Sequence, residues 1–311
     1  MLIKSLIRLW NYLNIYYLKP FDAVNDTITS DLLLKLNWQN NYIEIGSGDG
    51  AFSFIMHGGS FSLYYDRYLN VNLNKKDIFN SNNKNLVIKK KYKKEKIFPS
   101  ISIDAKKFHV DLVKKIGFSK KTILSKYENL PIKSRTQNLI FFYTPHGLKS
   151  HSKSIKEASR ILKTGGRILI LVYLKNVEKY FICNNLKKIS SGFLNKYFSN
   201  LDNGRFKEIT KMSDSLNGWK KKLSESNLRI SKFYTGLHPI AWMIYDIQTR
   251  PILKILIRLF NFFPIFLRTM FKIMWMIILY PILIITYILF RNYSTDFKNK
   301  NCYIVFETVK K

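Results

Sequence analysis

The chain has 311 residues, 47% of them apolar, including 23 Phe and 19 Tyr; that is enough to bury a sizeable core and speaks against a disordered chain. Its formal net charge is +32, from 52 basic and 20 acidic residues, which favours anionic partners such as nucleic acid or the anionic face of a bilayer. Only 11 of the basic residues are Arg, however, and a compositional drift toward Lys, Asn and Ile gives the same balance.

Segment 1–36 opens with MLIKSLIRLWNYLNIYYL. Lys4 and Arg8 interrupt it and no small-residue cleavage site follows, so an amphipathic surface helix is expected rather than a secretory signal. Tyr42 to Ile45 is an apolar run entering a glycine-rich turn, and Ala51 to Met56 is apolar again: strand, loop, helix. Residues 57–99 read as an insertion. It opens with GGSFSLYYDRYLN and carries the run KKKYKKEK, whose default is a solvated loop.

Alternation resumes at Ser100. ISID reads as a strand, and AKKFHVDLVKKIG as a helix with Phe108, Leu112 and Ile116 at helical spacing and Gly117 as its stop. KTILSKY and NLIFFY are strands, SKSIKEASRILK a capped helix, and RILILVY an apolar strand after a Gly-Gly turn. Strands alternating with helices imply an α/β fold with a mostly parallel sheet covered on both faces. A polar stretch follows, then SDSLNGWKKKLSESN as a helix and LRISKFY as a strand. The very apolar region 251–290 comes next, and CYIVFETV closes the chain as a strand. Cys183 and Cys302 lie far apart and outside any CxxC pattern, so neither a disulfide framework nor a cysteine metal site is indicated. A reducing, cytosolic setting fits.

The central chemical signal is Glu44-x-Gly46-x-Gly48-x-Gly50 between a strand and a helix, where glycines let the backbone turn sharply and approach a ligand. Gly46, Gly48 and Ala51 also satisfy the dinucleotide pattern, and Asp66 stands 20 residues after Gly46, where a ribose-binding acid would be. Asp66, however, is followed by a polar, Asn-rich stretch. Asp104 is followed by a helix and a strand at the spacing of a crossover unit. ISID is therefore taken as the second strand and Asp104 as its terminal acid.

EIGSGDG, Asp104, ENLP (Glu128 to Pro131) and KEASRILKTGGR (Lys156 to Arg167) stand in the order typical of class I S-adenosylmethionine-dependent methyltransferases, and the chain resembles that family over about residues 41 to 173. It looks most like the group that includes quinone-biosynthesis methyltransferases; GGSF…DRYLN and LDNGRFKEI are similar to methyltransferases of bacterial surface-glycan clusters. The resemblance implies a Rossmann-like seven-stranded methyltransferase sheet, with a hydrophobic helical insert before the last strand. A core over 37–235, an insert over 236–293 and a last strand within 294–311 follow from it. It also implies S-adenosyl-L-methionine as cofactor. Gly46, Gly48 and Gly50 would wrap its methionine and ribose portion, with Glu44 at the amino end. Asp104 would accept both ribose hydroxyls, and the loop Lys126-Tyr127-Glu128 would face the adenine. Two positions depart from the family pattern: Lys126 stands where an Asp often binds the adenine amino group, and Gln137-Asn138 where Phe-Asp is usual. They keep a non-enzymatic scaffold with a degenerate cofactor fold open as an alternative.

Methyl transfer draws much of its rate from holding nucleophile and methyl group in line, and a general base helps where the acceptor is a hydroxyl. His146, in YTPHG past the fourth strand, sits where open α/β sheets place their ligand crevice, and is the candidate base. His109 and His151 are expected on a helix surface or at a helix start, and His238 at a turn. No pattern of metal ligands is evident.

Ile273 to Phe290 is 18 residues without a charge, long enough to span a bilayer, with Pro281 expected to kink it. The family's sheet ends in a hairpin, and LRISKFY and CYIVFETV have the character of its two strands. A single span between them would strand the last one across the bilayer. That leaves a re-entrant hairpin of two segments or, as the favoured expectation, helices lying flat in the interface, flanked by Arg250, Lys254, Arg258, Arg268, Lys272 and Arg291. The function expected is methyl transfer, at oxygen, to a small or lipid-linked acceptor of glycan or quinone type at the cytoplasmic membrane face. A nucleic-acid methyltransferase is the weaker rival, because neither an Asn-Pro-Pro-Tyr-type loop nor a Pro-Cys nucleophile is present.

Overall fold

The computed structural model describes residues 2–69, 71, 73, 90–91, 97–143, 150–201, 205–236, 238–291 and 301–311. Helices α1 (Leu2–Tyr16) and α2 (Pro20–Leu33) lead into β1 (Tyr42–Ile45) and the short α3 (Ala51–Met56). Strands β2 (Ser60–Phe61) and β3 (Lys90–Lys91) pair antiparallel within the insertion. The core continues with β4 (Pro99–Asp104), α4 (Lys107–Ile116), β5 (Lys121–Leu124), β6 (Gln137–Tyr143), α5 (His151–Ile161) and β7 (Leu162–Tyr173). Short helices α6 (Ile182–Ile189), α7 (Gly192–Leu201) and α8 (Arg205–Met212) precede α9 (Leu216–Ser224) and β8 (Leu228–Gly236). The insert contributes α10 (Pro239–Ile247), α11 (Leu253–Asn261) and α12 (Ile265–Phe290), and β9 (Tyr303–Lys310) ends the chain.

The main sheet has seven strands in the order β5-β4-β1-β6-β7-β9-β8. β9 runs antiparallel to both its neighbours, and the other pairs are parallel. The Rossmann-like methyltransferase sheet with its terminal hairpin is thus present. β4 pairs with β1 in register Glu44 to Ser102, so ISID is the second strand and Asp104 its last residue. Alternation along the strands divides the core. Ile43, Ile45, Ile140 and Phe142 face Ile155 and Ala158 of α5 and Trp219 of α9, while Tyr42, Phe141 and Leu169 face Leu33 of α2 and Trp242 of α10.

Local chemistry sets the ends of the elements. Gly117 closes α4 at φ 66°, a left-handed C-cap. The side chains of Ser150 and Ser215 accept from Lys153 N–H and Gly218 N–H and cap α5 and α9. The stretch after β7, expected as merely polar, folds into α6 to α8. The N-terminal segment folds into two helices, of which α1 is amphipathic, with Leu2, Ile3 and Ile7 exposed and Leu9, Tyr12 and Leu13 buried. In α2, Ala23, Val24, Thr27, Ile28, Thr29, Ser30, Leu32 and Leu33 are all buried, because α1, α11 and α12 close over it. Among the described residues, α12 is the one helix long and apolar enough to cross a membrane.

Candidate cofactor and acceptor site

The glycine loop leaves β1 and is tied across to β4: Gly46 N–H and Ser47 N–H both donate to Ile103 O, at 2.9 and 3.1 Å. Gly46, Gly48 and Gly50 have φ of 78°, 55° and 77°, a left-handed conformation that side chains resist. The last two glycines serve different ends. A Cβ on Gly50 would meet Val113 Cγ2 at 3.0 Å, whereas a Cβ on Gly48 would meet nothing within 4 Å. Gly50 is required by packing; Gly48 leaves its outer face open for a ligand to approach the backbone.

Asp104 ends β4 beside this loop and is 3% exposed. Its Oδ2 accepts Gly48 N–H at 2.9 Å, and its Oδ1 accepts Lys106 N–H at 2.9 Å and stands 3.0 Å from His109 Nδ1. A carboxylate offers about four acceptor sites, so about one remains. One ribose hydroxyl can be taken directly; a second needs His109 or Gly48 to give way. His109, expected on a helix surface or at a helix start, stands in the first turn of α4 against the Asp104 carboxylate.

Glu44 is 2% exposed and faces inward, accepting from Ser53 Oγ and, at 3.4 Å, from Ser102 Oγ. Burial pushes its carboxyl up to about 7, against the two serine hydrogen bonds. Its partners here are α3 and β4. Tyr127 is buried, and its hydroxyl accepts Ala105 N–H at 3.2 Å, bracing the turn after Asp104. Glu128 accepts Ser150 N–H at 3.3 Å and ties the same loop to α5. Lys126 is exposed. Leu124, paired in register with Asp104 and 52% exposed, offers an apolar wall beside that carboxylate. The sequence reading did not single it out.

His146 lies outside the described residues. His151 packs edge-on to Trp219 at 4.8 Å, and burial lowers its imidazole to about 4. His238 caps α10 through Nδ1, accepting Ile240 N–H at 3.3 Å. Asp66 is not at a strand end: it pairs with Arg268 of α12 and accepts from Tyr17 Oη at 2.9 Å.

Tyr143 and Tyr173 stand at the carboxyl ends of β6 and β7, and Tyr173 pairs with Tyr303 at the start of β9. Helix α2 roofs this area with a stripe at helical spacing: Asp22, Asn25, Asp26 and Thr29. Thr29 Oγ1 lies 2.9 Å from Tyr303 Oη. Lys19 pairs with Asp22, and Arg67 pairs with Asp49 of the glycine loop. Arg67 also lies over the Tyr16 ring, 4.9 Å from its centroid. A separate hollow of about 620 Å³, lined by Leu174, Lys175, Glu178, Lys179, Asp214 and Leu216, contains none of the glycine-loop residues.

No protein-family profile matches the chain, and no curated protein does. Among solved structures, it is similar to an S-adenosylmethionine-dependent methyltransferase from Thermotoga maritima described as a possible histamine N-methyltransferase. Identity is 14% over 97% of this chain and 100% of that one, with a TM-score of 0.48. Geranyl diphosphate C-methyltransferase from Streptomyces coelicolor is 10% identical over 95% of this chain and 82% of its own, at 0.47. A putative methyltransferase from Bacillus halodurans is 10% identical over 90% and 97%, at 0.45. These are likenesses of fold.

Proposed function

We propose that the chain is an S-adenosylmethionine-dependent methyltransferase that works at a membrane surface on a small or lipid-linked acceptor, at oxygen. The observation that carries the reading is the conjunction of an open-faced Gly48 with Asp104 at the end of the neighbouring strand, in a sheet of this topology. A bound cofactor would supply a sulfonium methyl group, whose carbon the acceptor oxygen attacks while the C–S bonding pair stays on sulfur. The chain's own residues would bind and orient. The glycine loop approaches the methionine portion, Asp104 holds the ribose, and Leu124 with the 126–128 loop flanks the base.

The membrane part of the reading rests on α12. One stripe of this helix is fixed to the body along most of its length. Arg268 pairs with Asp66, and Lys272 Nζ donates to Leu63 O and Tyr65 O at 3.1 and 2.6 Å. Trp275 Nε1 donates to Tyr17 O at 2.9 Å, Tyr280 Oη to Leu6 O at 3.0 Å, and Tyr287 Oη to Asp31 at 2.5 Å. Crossing a bilayer would leave these polar groups in hydrocarbon without partners, at several kcal/mol each. The opposite side exposes Phe266, Met274, Ile278, Ile282, Ile285 and Leu289, and α11 and α1 add Ile255, Leu259, Ile3 and Ile7. A helix pinned on one side and apolar on the other suits a flat position in the interface. The flanking cations divide. Lys4, Lys254, Arg258 and Arg291 are exposed and available to anionic headgroups. Arg250, Arg268 and Lys272, expected at the headgroups, are 9%, 3% and 1% exposed and hold protein partners instead.

The experiment is transfer of label from methyl-labelled S-adenosylmethionine to the host's total lipid extract and to its aqueous small-molecule extract. Label in the organic phase is expected. Label only in the aqueous extract removes the lipid-linked acceptor, and label only in added nucleic acid overturns the reading.

A further inference from the structure

We propose that the hairpin of α6 and α7 is a second membrane contact, entering an anionic bilayer with Ile189, Phe193 and Leu194; this rests on the membrane part of the reading above. The two helices stand apart in what they leave uncovered. No residue of α7 is buried, and in α6 only Cys183 is. Ile189 is 82% and Phe193 81% exposed, and Leu186, Leu194 and Tyr197 are exposed with them. Leu186 and Ile189 share one side of α6, and Phe193, Leu194 and Tyr197 share one side of α7. Single apolar residues on a surface need no explanation, but five clustered about the turn between two helices mark a contact.

The uncovered tip stands on a built root. Cys183 N–H donates to Asp246 Oδ2 at 3.0 Å, and Arg250 Nη1 donates to Asn184 Oδ1 at 2.9 Å. Phe181 packs edge-on to Trp242 of α10 at 5.5 Å, and the Arg250 guanidinium lies 5.1 Å from the Phe181 ring centroid. At the turn, Asn195 Nδ2 donates to Lys187 O and Ser190 O at 2.9 and 3.2 Å, fastening α7 to the end of α6. The exposed side chains thus belong to a closed hairpin.

Charge and position indicate what covers it. From Phe181 to Leu201 the chain carries Lys187, Lys188 and Lys196 and no Asp or Glu. A second copy docked on the same patch would set these lysines against their own counterparts, in a protein whose net charge is already +32. An anionic bilayer offers hydrocarbon to the tip and headgroup phosphates to Lys188 and Lys196, both exposed. The root is continuous with the surface read as membrane-facing: Arg250 stands just ahead of α11, whose Ile255 and Leu259 are exposed. The hairpin follows β7 and the insert follows β8, parallel strands on either side of β9. Both contacts therefore leave the sheet from its carboxyl-end rim, where such a sheet binds its ligands. The hairpin adds to α12 on that rim and does not replace it.

The test places a polarity-sensitive fluorophore on Phe193→Cys in the full chain, in which Cys183 and Cys302 are buried. With vesicles of phosphatidylglycerol and phosphatidylcholine at low salt, its emission should shift to the blue. Lipids carrying a nitroxide on the acyl chain should quench it, and phosphatidylcholine alone should leave it as in water. Ile189→Ser, Phe193→Ser and Leu194→Ser together should weaken binding to the mixed vesicles at least about tenfold with the melting temperature unchanged, because less apolar area enters the bilayer. If wild type does not float with these vesicles, the membrane reading fails and this proposal with it. If it floats but the fluorophore keeps its aqueous emission, α12 makes the contact without the hairpin and only this proposal fails. A fluorophore shielded before vesicles are added, on a chain that sediments as a dimer, makes the tip a contact between copies and overturns the proposal as well.

Discussion

The backbone N–H of Gly48 donates to Asp104 Oδ2 at 2.9 Å, so the turn after the first strand and the acid ending the second are a single unit. With Lys106 N–H and His109 on Oδ1, three donors already serve a carboxylate expected to hold a ribose. His109→Ala should therefore leave cofactor affinity unchanged or raise it, by freeing one acceptor site. A loss of tenfold or more in calorimetry would make His109 a binding residue in its own right.

Gly48→Ala should weaken cofactor binding while the chain still folds. The new methyl enters open space and clashes with no protein atom, and the left-handed φ of 55° costs only about 1–2 kcal/mol. Gly50→Ala, pressed against Val113, should instead lower the melting temperature. If thermal denaturation and calorimetry give the two variants the same profile, the division of labour within the loop is wrong.

Asp66→Ala should leave cofactor affinity intact yet destabilise the protein by about 3–5 kcal/mol, because Arg268, 3% exposed, loses its ion-pair partner. Chemical denaturation measures the loss. An Asp66→Ala protein of native stability but weakened cofactor binding would restore Asp66 to the ribose and displace Asp104.

Vesicle flotation tests the apolar side of α12. Wild type should float with vesicles of phosphatidylglycerol and phosphatidylcholine at low salt. Ile278→Asp, Ile282→Asp and Ile285→Asp together alter only exposed positions and should abolish flotation without lowering the melting temperature. Flotation that survives the triple change would remove this surface from the interface.

Glu44 offers a pH test of the inward-facing acid. Its folded carboxyl rests at about 7 because burial disfavours the charge, whereas the unfolded one titrates near about 4.3. Wild-type stability is therefore lost as pH climbs from the lower value to the higher. Glu44→Gln should gain in melting temperature relative to wild type between pH 5 and 8. A difference that stays flat across that range would mean Glu44 is solvated or paired in the folded chain.

The sheet was readable because its strands are short apolar runs punctuated by Gly and by Ser caps, and because Asp104, unlike Asp66, precedes a helix and a strand at crossover spacing. CYIVFETV reads as the last strand on its own composition. Two things were not readable. Arg250, Arg268 and Lys272 look like headgroup ligands in a one-dimensional reading, because a cation beside an apolar run carries no mark of which side of the helix it takes. Helices α6 to α8 are only 8 to 10 residues long, too short for their periodicity to mark them. His146 lies outside the described residues, so the candidate for the base stays an expectation from the sequence.

The most direct measurement is calorimetry of the wild-type chain with S-adenosylmethionine and with nicotinamide adenine dinucleotide, repeated on Asp104→Ala. The expected result is binding of the first ligand and not the second, with Asp104→Ala weakening it by about 1.5–3 kcal/mol, the scale of hydrogen bonds to a charged group. Binding of the dinucleotide alone, or S-adenosylmethionine bound equally well without Asp104, would contradict the assignment of this site.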